Sequence, residues 1–233
     1  MKYDVFLFDL DDTLMDFVET EKNAFTNVFT LHGYPNGLVD YRDTYRAIST
    51  VLWEDLEQGR ITLAELKTER FKRLFLEHGL ESDAELFGQM YLDHLGKEVH
   101  LIDGVASMLQ SLKGARMVVL TNGFKDVQLA RIAASGLADT FEAIFTSEEI
   151  GFQKPQPEIF EHVFNQLQIK DKSRVLMVGD SLSSDIRGGN NFGIDTCWYN
   201  PKQKENTGVA RPTYEIQDWK EFQMIGIQTI ASS

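Results

Sequence analysis

The chain has 233 residues, 42% of them hydrophobic and 16 of them phenylalanine, enough to bury a substantial core in one large domain or a core with an inserted unit. A formal net charge of −13 excludes the basic surface that non-specific binding to a nucleic acid polymer requires, and it disfavours docking on anionic membranes. No apolar stretch approaches the roughly 20 residues of a membrane-spanning helix, and one cysteine, Cys197, permits no internal disulfide.

Met1-Lys2-Tyr3-Asp4 runs straight into an apolar stretch and leaves no room for a signal peptide, so the expected location is the cytoplasm. The first strand, Val5-Phe6-Leu7, ends in Phe8-Asp9-Leu10-Asp11-Asp12-Thr13-Leu14. Asp is a poor strand former, and if the strand continued, Asp9 and Asp11 would share a face and repel one another. A cation between them, or a proton on one, relieves that repulsion, and either remedy describes a catalytic centre. An Asp-rich turn closing a strand is the plain alternative.

Residues 18 to 98 read as almost entirely helical. Phe25, Val28, Phe29 and His32 follow helical spacing, and Gly33 to Gly37 is a turn cluster. Thr62 to Glu65 and Ser82 to Glu85 both fit a capping box, while Gly79 is placed to stop the helix carrying Leu63, Leu66, Arg70 and Leu74. From about Leu101 the pattern becomes regularly β/α. Strands are expected at Met117–Thr121, Ala143–Phe145, Arg174–Val178, Asp195–Tyr199 and Tyr214–Ile216. Helices are expected near Val105–Leu112, Val127–Ser135, Pro157–Gln166 and Asp185–Phe192. Such alternation predicts an α/β fold, a doubly wound, Rossmann-like parallel sheet with right-handed crossovers. The expected core is 1–17 with 99–233, interrupted by a helical insertion at 18–98. Residues 201–212 read as a polar loop.

The strand endings carry the chemistry. Met117-Val118-Val119-Leu120 ends in Thr121-Asn122-Gly123, and Val175-Leu176-Met177-Val178 ends in Gly179-Asp180, with Asp185 five residues on. Between them, Gly151-Phe152-Gln153-Lys154-Pro155 brings one lysine. Ligands of open parallel sheets bind beyond the carboxyl ends of the strands, so these groups are expected to converge. Taken singly, Lys154 reads equally as a solvated loop residue, and Asp180 with Asp185 as a pair favoured by a helix N-terminus.

In this order the motifs resemble the phosphatases of the haloacid dehalogenase superfamily: Asp9-x-Asp11-x-Thr13, then Thr121, then Lys154, then Gly179-Asp180 with Asp185. Leu52-Trp53, Gly59-Arg60-Ile61-Thr62, Thr121-Asn122-Gly123-Phe124 and Thr196-Cys197-Trp198 further resemble the pyrimidine-nucleotide 5′-nucleotidase branch. The resemblance implies Asp9 as nucleophile and Asp11 as general acid and base. It implies Thr121 and Lys154, assisted by backbone amides of Asn122 and Gly123, as partners of the phosphoryl oxygens. It also implies magnesium (Mg2+) held by Asp9, the Asp11 carbonyl and Asp180, with Asp185 acting indirectly. Residues 18–98 would be a cap over the crevice. The implied partner is a small phosphorylated metabolite, a nucleoside 5′-monophosphate by the closer resemblance. Phe17 and Trp53 are candidates for bounding a planar base, against the plain alternative of core packing. Rival readings are a sugar-phosphate phosphatase or phosphomutase on the same machinery, and a non-catalytic binding or regulatory protein. The histidines show no metal spacing and read as surface or packing residues.

Overall fold

Val5–Phe8 forms strand β1, buried on both faces, as a continuous apolar run does in a parallel sheet covered on both sides. In the computed structural model, which describes residues 2–208 and 210–226, the chain continues through α1 (Phe17–Leu31), α2 (Gly37–Asp40), α3 (Arg42–Glu57), α4 (Leu63–His78) and α5 (Ala84–Leu95). Then follow α6 (Val105–Ser111), β2 (Arg116–Thr121), α7 (Lys125–Ala134), β3 (Ala143–Thr146), α8 (Ser147–Ile150) and α9 (Pro157–Gln166). The remainder is β4 (Val175–Gly179), α10 (Arg187–Phe192), β5 (Asp195–Tyr199), β6 (Tyr214–Ile216) and α11 (Trp219–Gly226). No helix of the described residues is long and apolar enough to cross a membrane.

The strands form one sheet in the order β3-β2-β1-β4-β5-β6, every pair parallel. This is the expected doubly wound α/β architecture. From β1 the chain winds outward to β2 and β3, then crosses back to β4 on the other side of β1. The order therefore reverses between β1 and β4, the place where such sheets open a crevice. Strand periodicity sorts the side chains. Val5 and Leu7 join Val118, Leu120, Val175 and Met177 against Phe160 and Phe164 of α9. Phe6 and Phe8 point the other way, and both rings meet Phe222 of α11, at 6.0 and 6.1 Å.

The chain divides into two compact units, the sheet unit and a helical unit of Phe17–His100 with Gly123–Ala134. The helical unit centres on an aromatic core of Phe25, Phe29, Tyr45, Phe71, Phe75, Phe87 and Tyr91. A Cβ at Gly88 would lie 2.7 Å from the Lys67 carbonyl oxygen, so only glycine lets α5 pass so close to α4. The expected insertion, 18–98, left α7 with the core; here α7 groups with the helical unit, where Val127 packs into the aromatic cluster.

Two local expectations change. The Thr62–Glu65 capping box forms, and Gly79 closes α4 in the left-handed conformation. At α5, however, the cap is Asp83 and not Ser82. The Asp83 carboxylate accepts the Glu85 and Leu86 N–H groups, satisfying two of the helix's exposed donors. A single helix over Asp185–Phe192 is also not what forms. Leu182–Ile186 is one wide turn, and α10 begins at Arg187.

Candidate active site

Because β2, β1 and β4 are neighbours, their carboxyl ends place Thr121, Asp9 and Asp180 side by side. Asp9 leaves the sheet with its N–H on the Val178 carbonyl (2.9 Å), and the chain then folds back sharply. Leu14 and Met15 both donate to the Leu10 carbonyl (2.9 Å each), with Asp12 in the left-handed region at φ 56°. This tight return brings Thr13 beneath Asp9. The Thr13 hydroxyl donates to Asp9 Oδ2 (3.2 Å) and accepts from the Asp180 N–H (3.0 Å), tying the ends of β1 and β4 together.

Lys154 enters from the loop after α8 and is 1% exposed. Its ammonium lies 2.7 Å from Asp9 Oδ1, 2.7 Å from Asp185 Oδ1 and 2.6 Å from the Leu120 carbonyl oxygen. Burial works against its charge, but Asp185 and Asp9 outweigh that and hold the ammonium firmly protonated. Asp185 is fixed from its other oxygen by the Ser181 N–H (3.0 Å). Its position depends on an absence as well: a Cβ at Gly179 would sit 2.1 Å from Asp185 Oδ2. The wide turn of Leu182–Ile186 is what folds Asp185 back over Gly179, a local helix variant frequent at functional sites.

Carboxylate oxygens of Asp9, Asp180 and Asp185 all lie within 4.8 Å of one another. One buried ammonium does not neutralise three such groups. Burial, reinforced by the charge of Asp185, pushes the Asp9 carboxyl up to about 7 against the pull of Lys154. Burial and the charges of Asp185, Asp9 and Asp12 push Asp180 up to about 8. Oxygen donors this close, reluctant to ionise on their own, fit a hard divalent cation. Asp11 is partly exposed on the same return.

The sequence-predicted residues Asp9, Thr13, Thr121, Asn122, Lys154, Asp180 and Asp185 thus all lie in the sheet unit. Asn122 uses its side chain on the backbone of Lys154, donating to the carbonyl (2.9 Å) and accepting the N–H (2.8 Å). Sequence reasoning gave it only a backbone role. It also did not single out Ser181, Lys204 or the need for no side chain at Gly179, although the Gly-Asp pair was itself the signal for the last. Phe17 and Trp53 lie in the helical unit. Phe17 packs on the aromatic core with the Arg131 guanidinium 5.8 Å above its ring, and Trp53 packs on Leu52, Leu56 and Leu66. Cys197 is fully buried, and that burial raises its thiol pKa.

Comparison with known proteins agrees with this fold. A family model described as haloacid dehalogenase-like hydrolase matches residues 3–193. The pyrimidine 5′-nucleotidase PynA of Streptococcus pneumoniae is 39% identical over 95% of this chain and 94% of its own. The pyrimidine 5′-nucleotidase YjjG of Escherichia coli is 34% identical over 97% and 98%. The crystal structure of the putative hydrolase YfnB of Bacillus subtilis, bound to magnesium, superposes with a TM-score of 0.90 at 37% identity, covering 97% of this chain and 100% of that one. With the family model spanning most of its length and relatives so similar from end to end, this chain belongs to the haloacid dehalogenase-like hydrolases.

Proposed function

We propose that the protein is a magnesium-dependent phosphomonoesterase that hydrolyses nucleoside 5′-monophosphates, pyrimidine ones by preference, through an aspartyl-phosphate at Asp9. The observation that carries this reading is the buried Asp9 carboxylate, held at both oxygens by Lys154 and Thr13 inside a cluster of three carboxylates. Asp9, Asp180 and the Asp11 carbonyl would hold the cation, with Asp185 supporting the arrangement through Lys154. When bound, the cation offsets the repulsion between a carboxylate and an anionic phosphate.

In the first step an Asp9 oxygen forms a bond to phosphorus as the bond to the leaving oxygen breaks, and Asp11 gives that oxygen its proton. In the second, Asp11 takes a proton from water, whose oxygen attacks phosphorus and releases inorganic phosphate and free Asp9. Lys154 holds a phosphoryl oxygen with the Thr121 hydroxyl, and Asn122 fixes the lysine that does so. A halide leaving group needs no proton, so a carboxyl at Asp11 favours phosphate esters over haloacids.

The nucleotide preference rests on the names of the relatives, PynA and YjjG. Phosphate and metal contacts are common to every candidate substrate, so selection must come from other side chains, and Phe17 and Trp53 are the proposed contacts to the base. Phosphate release from a panel of nucleotides and sugar phosphates, with magnesium and with chelator, tests the reading. Magnesium-dependent release from pyrimidine nucleoside 5′-monophosphates above all sugar phosphates is expected. A preference for any sugar phosphate overturns the nucleotidase assignment, and full activity in chelator overturns the metal.

A further inference from the structure

Another cation reaches the carboxylate cluster from outside the stretch that the family model matches. Lys204 lies in the polar loop after β5, and its Nζ is 3.8 Å from Asp180 Oδ2. The loop is built to put it there. Asn200 is 2% exposed, and its N–H donates to the Ile216 carbonyl (2.7 Å), fixing it between β5 and β6. Its side chain then grips the Lys204 backbone on both sides, Oδ1 accepting the Lys204 N–H (2.8 Å) and Nδ2 donating to the Lys204 carbonyl (3.0 Å). The same Nδ2 donates to Glu215 Oε1 (2.7 Å). The Lys204 backbone is therefore held in place while its side chain, 56% exposed, has solvent to swing into.

Charge counting says what such a lysine does. Three carboxyl groups, Asp9, Asp180 and Asp185, face the single buried ammonium of Lys154, and Lys204 is a second cation placed beside Asp180. A divalent cation on Asp180 would meet an ammonium a few ångströms away, and like charges at that range repel. We propose that Lys204 is a tethered counter-cation that occupies Asp180 when no divalent metal is bound and competes with the metal for it, thereby setting the affinity of the site. This rests on reading the three carboxylates as the metal site.

The test is calorimetric titration of magnesium chloride into the full chain and three variants, Lys204→Met, Lys204→Arg and Lys202→Met. Lys202 is an exposed lysine of the same loop, so its loss removes the same charge from the protein without touching Asp180. Lys204→Met is expected to bind magnesium about threefold to tenfold more tightly than the wild type, as removal of a competing near-surface charge allows. Lys204→Arg and Lys202→Met should stay within about twofold, and the gain in Lys204→Met should shrink at high ionic strength. Unchanged or weaker affinity in Lys204→Met overturns the proposal, as does an equal gain in Lys202→Met, which would mark a bulk charge effect. A wild type that takes up no magnesium overturns the metal reading itself and this inference with it.

Discussion

Asn122 and Lys154, 32 residues apart, are joined by a reciprocal pair of hydrogen bonds, the Asn122 amide both donating to and accepting from the Lys154 backbone. The end of β2 is in this way locked to the loop that delivers the buried ammonium. Asn122→Ala removes both bonds and should lower stability by about 1–3 kcal/mol. Turnover should fall further than stability alone explains, about a hundredfold, because a misplaced Lys154 no longer meets the phosphoryl oxygen. Urea unfolding together with phosphate release at saturating substrate measures both, and a wild-type turnover number in Asn122→Ala contradicts the positioning role.

Asp9→Asn should abolish turnover, since an amide does not form the acyl-phosphate. The fold should survive, because Lys154 keeps Asp185 and the Leu120 carbonyl as partners. Beryllium fluoride with magnesium should raise the melting temperature of the wild type and leave that of Asp9→Asn unmoved. A robustly active Asp9→Asn protein would sink the mechanism.

Asp11→Asn separates proton transfer from bond formation. An alkyl phosphate needs its departing oxygen protonated, whereas an activated aryl phosphate needs this far less. Single-turnover phosphorylation should therefore drop about 10²–10⁴-fold for the alkyl ester and much less for the aryl ester. Equal losses for both remove Asp11 from the acid role. The first step must be resolved, because slow hydrolysis of the phosphoenzyme masks the contrast at steady state.

Far from the crevice, Asp195 supports the fold in a pH-dependent way. Partial burial raises its pKa, but the Tyr3 hydroxyl (2.6 Å) and the Lys2 ammonium (2.9 Å) outweigh this, and the carboxyl lies below the usual range. A carboxyl depressed in the folded state stabilises fully above its unfolded pKa, about 3.9, and the contribution is lost as pH falls through the folded value. Asp195→Asn should thus be less stable than the wild type at pH 7, with the gap closing toward pH 3. Urea midpoints at the two pH values check this, and a gap that widens in acid reverses the assigned sign.

How much of this was legible in sequence follows from the range of the forces involved. Asp9, Asp11 and Asp180 announce themselves because charge at the end of an apolar strand conflicts with local propensity, whereas Lys154, in a loop, stands out only through the order of the motifs around it. The β/α alternation likewise exposes the sheet, since strand and helix periods are short-range signals. The Asn122 clamp, the Leu120 carbonyl under Lys154 and the Lys204–Asp180 contact were not legible: each joins segments whose approach only the folded sheet decides. The Asp83 cap was off by one residue because Ser82 and Asp83 are both good caps, and the choice between them depends on how the chain enters α5. The turn at Leu182–Ile186 was missed because its hydrophobic spacing differs little from that of an ordinary helix.

The three partners of Lys154 also say why this position holds a lysine in particular. An ammonium is a compact point charge, and here it donates to Asp9 and the Leu120 carbonyl while pairing with the Asp185 carboxylate at 2.7 Å. A guanidinium spreads its donors in one plane and is larger. Arginine would match the charge and miss the shape, so the restriction at this position is stereochemical, set by where three oxygens from three separate strand ends and turns come to rest.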